Sequence, residues 1–198
     1  MNEATTSEAR SMSDDAAREL VIATADSLYN LRGIQSVGMD ALRDACGVSL
    51  KRLYKLFPSK EIIVEEVLRS RHERWMSSVS TAVDAASSPR EKLLAIFDYL
   101  GEWFAENDFR GCGFINSFGE LGGTVESLAG IVRDHKADFQ AYVAQLVEDA
   151  GAPAWLGPQL AILAEGAQTT AAIAGTAQAA DDARRAAQIL MDAAGLEG

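Results

Sequence analysis

Residues 47–60 constrain the fold of this chain more than any other stretch. They read Gly-Val-Ser-Leu-Lys-Arg-Leu-Tyr-Lys-Leu-Phe-Pro-Ser-Lys. Gly47 can adopt the positive φ that a tight turn between two helices needs, and Ser49 is placed to cap the next helix. Side chains three or four residues apart share one side of a helix, so Leu53 and Phe57 can face inward together with Val48. The stretch therefore predicts a turn followed by one short helix.

The charge of this stretch differs from that of the chain. Its basic residues are Lys51, Arg52, Lys55 and Lys60, and it has no acidic residue, whereas the whole chain carries a net charge of −11. Residues 1–75 hold 11 basic and 12 acidic side chains, so the acidic excess lies almost entirely in 76–198. Cations neutralise phosphates, and a helix fits the major groove of DNA. A basic helix after a tight turn is typical of helix-turn-helix DNA binding.

Three blocks of this region resemble the N-terminal domain of the TetR/AcrR family of bacterial helix-turn-helix transcriptional regulators. They are Val-Gly-Met-Asp-Ala-Leu at 37–42, Ala-Cys-Gly-Val-Ser at 45–49 and Leu-Tyr-Lys-Leu-Phe-Pro-Ser-Lys-Glu at 53–61. The resemblance implies a three-helix DNA-binding domain followed by a helical ligand-binding and dimerisation domain. It also implies a homodimer whose two recognition helices lie about one DNA turn apart, roughly 34–36 Å.

Composition supports the same fold class. Hydrophobic residues make up 48% of the chain, prolines number only four, and helix-forming residues are abundant. We therefore expect an all-α fold of about nine helices. Residues 1–13 are polar and lack periodicity, which predicts a disordered tail. We place the helix-turn-helix DNA-binding domain at 14–58 and the effector-binding and dimerisation domain at 59–198.

The charge pattern and the resemblance together give a set of candidate DNA contacts. These are Gly38, Arg43, Ser49, Leu50, Lys51, Arg52, Tyr54, Lys55 and Lys60. Tyr54 matches the family tyrosine whose hydroxyl contacts a phosphate. Gly38 stands where the family commonly has Ser or Thr, which leaves its backbone N–H for that contact. Arg43 is flanked by two aspartates, and a solvated face explains it as well as a DNA contact does.

The roles of the individual cations differ. Lys51 or Arg52 could read guanine through two hydrogen bonds, and the sequence leaves open which of them does so. Leu50 is expected to be exposed, where it could contact a thymine methyl. Lys60 begins a helix, where a cation is locally unfavourable unless a phosphate lies there, so we interpret it as a phosphate contact.

Aromatic and polar residues of the C-terminal part could line an effector cavity, because ligand pockets are mostly apolar with a few polar anchors. The candidates are Trp75, Phe97, Trp103, Phe104, Phe114, Asn116, Phe118, Phe139 and Tyr142. Plain core packing is the simpler interpretation for each aromatic residue alone. Cys112 and Glu120 are further candidates. His135 lies in a polar stretch and is expected to be exposed.

The last two predicted helices are rich in Ala and Gly, and in the resembled family the equivalent helices pack against those of a second copy. The candidate interface residues are Leu160, Leu163, Ala164, Ala167, Thr170, Ala171, Ala174, Ala187, Leu190 and Met191. Small side chains let helices approach closely, and such a face left exposed would form a large apolar patch.

The sequence contains no motif typical of an enzyme or of a metal site. The chain has no Gly-x-Ser-x-Gly elbow, no phosphate-binding loop and no Gly-x-Gly-x-x-Gly after a strand. Two histidines and two cysteines give little for a metal, so we expect no metal, no cofactor and no disulfide framework. No apolar run approaches the roughly 20 residues needed to span a bilayer, and the N-terminus lacks a signal peptide. We expect a cytoplasmic chain that does not enter a membrane.

We expect a homodimeric transcriptional regulator that binds a palindromic double-stranded DNA operator and is released by an unknown small molecule. Repression is the usual outcome in the resembled family, and the sequence does not distinguish it from activation. One alternative is a regulator of the same fold that responds to redox state or a protein partner instead. Another is a helical carrier or enzyme whose N-terminal helices are only structural.

Overall fold

The computed structural model describes residues 12–196, so most of the predicted tail at 1–13 lies outside the described residues. Within that range the chain forms nine α-helices and no strand, which confirms the all-α prediction. They are α1 (Asp14–Arg32), α2 (Met39–Cys46), α3 (Leu50–Leu56), α4 (Lys60–Asp84), α5 (Pro89–Phe104), α6 (Gly113–Leu121), α7 (Glu126–Asp149), α8 (Leu156–Ala174) and α9 (Gln178–Ala193).

Local sequence signals set several helix ends. Ser13 caps α1, with its Oγ accepting from the Ala16 N–H at 3.2 Å. Ser88 and Glu91 form a capping box at the start of α5, just before Pro89. The last helix, α9, begins at Gln178, so Asp181 lies in its first turn and does not cap it.

The chain divides into two compact units. Unit 1 comprises the residues up to Arg71 together with Gly113–Val132, and unit 2 comprises His72–Cys112 and the chain from Arg133 onward. These units do not test the predicted domain boundary between residues 58 and 59, which stays a prediction.

In unit 1, α1 and α2 contact each other, and so do α2 and α3. The apolar stripe of α1 is buried as its 3.6-residue period predicts. Arg71 of α4 binds Asp26 of α1 through its Nε and donates from Nη2 to the Asp26 carbonyl at 3.2 Å. A Cβ at Gly113, the first residue of α6, would lie 2.0 Å from Arg71 Nη1, so a larger residue there would require the Arg71 side chain to move.

In unit 2, the central element is α5, which contacts both α8 and α9. Its buried side chains are Leu93, Leu94, Ile96, Phe97, Leu100 and Phe104. Small residues allow close helix packing: a Cβ at Gly157 of α8 would lie 3.2 Å from the Ala144 Cα of α7. Two ion pairs join α5 to α9, from Arg184 to Asp98 at 2.6 Å and from Arg90 to Asp192 at 2.7 Å.

Across residues 12–196, no helix combines the length and the apolar character that crossing a membrane would require.

Replacing Phe97, which is 1% exposed, by alanine should lower the free energy of unfolding by about 3–5 kcal/mol, because it leaves a cavity in the core of unit 2. Phe118→Ala is the matched control, since Phe118 is 48% exposed and should cost much less. Urea denaturation followed by circular dichroism measures both. Equal losses would show that Phe97 is not a core residue.

Candidate nucleic-acid interface

A turn of three residues joins α2 to α3. Gly47 has φ 71° and ψ 2°, the left-handed conformation that glycine adopts readily, and its N–H donates to the Arg43 carbonyl at 2.9 Å. Ser49 caps α3, with its Oγ accepting from the Arg52 N–H at 3.4 Å. The predicted turn and cap are therefore confirmed, and they fix the start of α3.

The two faces of α3 differ in burial as predicted. Leu53 and Phe57 are fully buried, and Val48 in the preceding turn is 1% exposed. On the other face Lys51, Lys55 and Tyr54 are exposed, whereas Leu50 is only partly exposed. An exposed basic face on a short helix behind a tight turn is the arrangement that enters a major groove.

The cations of α3 are not equally available. Lys51 is exposed and forms no ion pair with any residue between 12 and 196. Arg52 donates from Nε and Nη2 to Asp14 Oδ1, at 3.2 and 2.9 Å, and from Nη2 to the Met12 carbonyl at 2.6 Å. Lys55 Nζ donates to Asp14 Oδ2 at 2.8 Å. Both hydrogen bonds lower the pKa of Asp14, with that from Lys55 contributing most.

These contacts change the interpretation of Arg52. Its side chain is 19% exposed and held against the start of α1, so in this conformation it is not presented for reading a base. The acidic partner lies 38 residues away in the sequence, which is why the local charge pattern did not reveal it. A DNA role for Arg52 stays a prediction, and Lys51 is the cation that faces solvent without an ionic partner in the described range.

The remaining candidates are placed as follows. Arg43 pairs within its own helix, with Asp40 at 2.6 Å and Asp44 at 2.8 Å, and these partners raise its pKa. Gly38 is the exposed N-cap of α2, and an added Cβ would meet nothing within 4 Å. Lys60 is the partly buried first residue of α4, and that burial lowers its pKa.

Arg18 of α1 ties the end of α3 in place. Its Nη1 donates to the Leu56 carbonyl at 2.7 Å, and its Nη2 donates to Glu66 of α4 at 2.8 Å. Its guanidinium also lies over the Phe57 ring, 4.6 Å from the centroid. One side chain thus satisfies a carbonyl at the C-terminus of α3 and links three helices.

Glu120 of α6 holds the loop between α1 and α2. Its Oε1 accepts from the Ile34 N–H at 3.0 Å, and its Oε2 accepts from the Gln35 N–H at 2.8 Å. The Gln35 side chain donates in return to the Glu120 carbonyl at 2.8 Å. We expected Glu120 near an effector cavity, but its carboxylate binds backbone instead. The local sequence did not indicate this contact, because it joins residues 85 and 86 positions apart.

The predicted effector residues are divided between the two units. Phe114, Asn116 and Phe118 belong to unit 1, and the other six belong to unit 2. Asn116 lines a cavity of about 30 Å³ in unit 1, which has room for water but not for a drug-sized ligand. Its other lining residues are Tyr29, Asn30, Ile34, Val64, Val67, Leu68, Arg71, Gly113, Ser117 and Glu120.

The six effector candidates of unit 2 split by burial. Phe97, Phe104 and Phe139 are core residues, at most 6% exposed. Trp75, Trp103 and Tyr142 are only partly buried against that core. The three partly buried rings are therefore the ones that a bound molecule could reach.

Most predicted interface residues pack inside a single chain. Leu160, Ala164, Ala167, Ala171, Ala187 and Met191 are at most 5% exposed, and Leu163 and Leu190 pack partly against the same core. Thr170 and Ala174 are exposed. The buried members pack within one chain, and their place in a dimer interface stays a prediction. The outward apolar side chains of the same helices are Ile162, Ile173 and Ile189.

Two histidines meet in unit 2. His72 Nδ1 and His135 Nδ1 lie 3.0 Å apart, and the Trp75 ring lies edge-on to His135. His135 is 4% exposed, so the expectation that it is exposed was wrong: this side of α7 faces inward. Burial, followed by the charges of Lys136 and His72, lowers the pKa of His135 to about 3. The described residues hold no group of three or more His, Cys, Asp or Glu side chains that could bind a metal.

The turn, the cap and the exposed basic helix define a helix-turn-helix DNA-binding protein. Residues 21–67 match the family model described as "Bacterial regulatory proteins, tetR family". This segment of the chain is therefore similar to the DNA-binding domain of TetR-family bacterial transcriptional regulators.

Known relatives and a solved structure agree with that assignment. The transcriptional repressor KstR2 of Mycolicibacterium smegmatis is 32% identical over 80 residues, which are 40% of this chain and 39% of KstR2. The transcriptional regulator YjdC of Escherichia coli is 24% identical over 180 residues, 88% of this chain and 93% of YjdC. The TetR-family regulator SCO4454 of Streptomyces coelicolor has the same fold, with a TM-score of 0.84, 20% identity and coverage of 90% of this chain and 95% of SCO4454.

Glu120→Ala should speed amide hydrogen exchange at Ile34 and Gln35 by about tenfold, because both N–H groups lose a hydrogen bond to a carboxylate. Exchange measured by mass spectrometry or NMR reports this directly. Glu19→Ala, at an exposed position on α1, should leave both amides unchanged. Unchanged exchange in Glu120→Ala would mean that the loop is held by other contacts.

Proposed function

We propose that this protein represses transcription by binding a palindromic operator as a homodimer, and that a small molecule bound in the C-terminal part releases it. The observation that carries the DNA-binding part is the exposed face of α3. Lys51, Tyr54 and Lys55 project from one side of a helix whose other side is fully buried. That face supplies phosphate-binding cations and a phenol hydroxyl at the spacing of successive turns.

The proposed DNA contacts come from α3 and from the starts of α2 and α4. Gly38 offers a backbone N–H at the start of α2, and Lys60 lies at the start of α4, where a phosphate would offset the unfavourable position of its charge. Lys51 is the proposed base reader, since Arg52 is held by Asp14 and Met12. The acidic excess of residues 76–198 repels phosphate and favours approach through the basic face.

The proposed effector site lies in the C-terminal part, beside the partly buried Trp75, Trp103 and Tyr142. Partly buried aromatic rings offer apolar contact area and remain accessible to an amphipathic molecule. We place the protein in the cytoplasm, where it would meet chromosomal DNA. Repression is proposed by similarity to KstR2, and activation is the alternative direction.

Lys51→Ala should weaken operator binding and relax the preference at one base pair, because the proposed base contact is lost. It should also reduce the slope of log Kd against log salt concentration by up to about 0.9, because one cation near the phosphates is removed. Fluorescence anisotropy with DNA selected from a random-sequence library measures this. Lys92→Ala, on α5 in unit 2, removes the same charge and should leave the slope unchanged. If the parent protein shows no salt-dependent binding to any duplex, the proposed function is wrong.

The proposed dimer uses the outward face of α8. Ile162 and Ile173 are 68% and 84% exposed, and they lie three helical turns apart on the same side. Between them Gly166 leaves open space, with nothing within 4 Å of an added Cβ, so a second helix could approach closely. Ile189 of α9 adds a third exposed apolar side chain, at 67% exposure. These exposed apolar side chains support α8 and α9 as the proposed contact with a second copy.

Ile173→Glu should convert the dimer to a monomer, because it places a charge in the proposed apolar contact of α8 with its copy. Light scattering after size-exclusion chromatography gives the mass. Leu31→Glu is the control, since Leu31 is 64% exposed on α1 and lies outside the proposed contact. A monomeric parent, or a dimer that survives Ile173→Glu unchanged, would rule out this interface.

A further inference from the structure

Asp14, in the first turn of α1, bridges two cations of the proposed recognition helix. Its Oδ1 accepts from Arg52 and its Oδ2 accepts from Lys55, so both carboxylate oxygens are used. Arg52 and Lys55 are three residues apart and therefore lie on the same side of α3. The carboxylate thus occupies a position between two cations separated by about one helical turn.

A DNA phosphate would bind at the same position between Arg52 and Lys55. Phosphate oxygens and carboxylate oxygens accept the same charge-assisted hydrogen bonds from guanidinium and ammonium groups. Lys55 is 70% exposed and remains within reach of solvent, whereas Arg52 has a second tie to the Met12 carbonyl. The hydrogen bonds from Lys55 and Arg52 lower the pKa of Asp14 further below its ordinary acidic value, and its carboxylate is charged at neutral pH. DNA therefore meets a cation pair that already has an anionic partner.

We propose that Asp14 limits DNA affinity: its carboxylate competes with DNA phosphates for Arg52 and Lys55 and so keeps affinity for DNA of any sequence low. This inference rests on the proposed function. Phosphate contacts give affinity for every sequence, whereas base contacts favour one. Weakening the first kind of contact lowers binding to all DNA, and only an operator compensates through its base contacts.

The neighbouring residue provides a matched control. Asp15 lies in the same first turn of α1 and is exposed, and no contact joins it to α3 within the described residues. Asp14→Asn and Asp15→Asn remove the same charge and the same favourable interaction with the N-terminus of α1. A difference between the two variants therefore reports the contacts of Asp14 with Arg52 and Lys55.

The experiment measures binding to a labelled duplex of arbitrary sequence, about three helical turns long, over a series of salt concentrations. Asp14→Asn should bind this DNA more tightly than Asp15→Asn, by about threefold or more in low salt. Its salt slope should be steeper by about 0.9 to 1.8, because one or two additional phosphate contacts become available. Equal slopes and affinities for the two variants would overturn the proposal.

The direction of the change separates competition from a structural role. If Asp14 merely orders α1 and α3, Asp14→Asn should bind DNA more weakly and unfold at a lower temperature, and that result would also overturn the proposal. In a background of Arg52→Gln and Lys55→Gln, Asp14→Asn should behave like Asp15→Asn, because the contested cations are gone. A gain that persists in that background would contradict the competition.

Two different results would refute the proposed function and the role of Asp14. If the parent binds no duplex at any salt concentration, the proposed function fails. If the parent binds in a salt-dependent way but Asp14→Asn and Asp15→Asn behave alike, only the role of Asp14 fails.

Discussion

The short length of α3 is the constraint on which the interface depends. Seven residues are too few for an isolated helix to be stable in water, so its helical state must come from tertiary packing. Buried Leu53 and Phe57 supply the apolar part of that packing. Arg18 supplies the polar part, since it binds the last carbonyl of α3 and lies over the Phe57 ring. The exposed basic face exists only because the opposite face is anchored in this way.

The second theme is the balance of charge around that face. An acidic chain that binds DNA needs a region where cations outnumber acids, and residues 47–60 provide one in sequence. In the folded chain aspartates from other parts of the sequence partly offset this positive charge. Asp14 pairs with Arg52 and Lys55, and Asp40 and Asp44 pair with the neighbouring Arg43. Exposed pairs of this kind contribute little to stability. These ion pairs affect DNA binding instead, because each pair must be weakened before a phosphate can bind its cation.

Much of the fold follows from local sequence patterns, and most of what was missed is non-local. The bounds of α2, the turn at Gly47 and the inward face of α3 were predictable, because helix caps and a 3.6-residue period are read over a few residues. The Asp14 contacts and the Glu120 contacts were not predictable, since they join residues 38 to 86 positions apart. For helices α8 and α9 the prediction of the inward side was limited by composition. Alanine lines several sides of these helices, so periodicity did not show which side faces the core.

The contacts of Glu120 also bear on how the chain is synthesised. Unit 1 is built from two separate segments of sequence. Gly113–Val132 packs with the N-terminal helices, whereas residues 72–112 between them belong to unit 2. On a ribosome the first three helices emerge long before Glu120 does, and until then the Ile34 and Gln35 amides lack the carboxylate that they bind in the finished protein. The N-terminal unit therefore completes its native contacts only after roughly two thirds of the chain has been translated, and a contiguous fragment that stops after α4 would never acquire them.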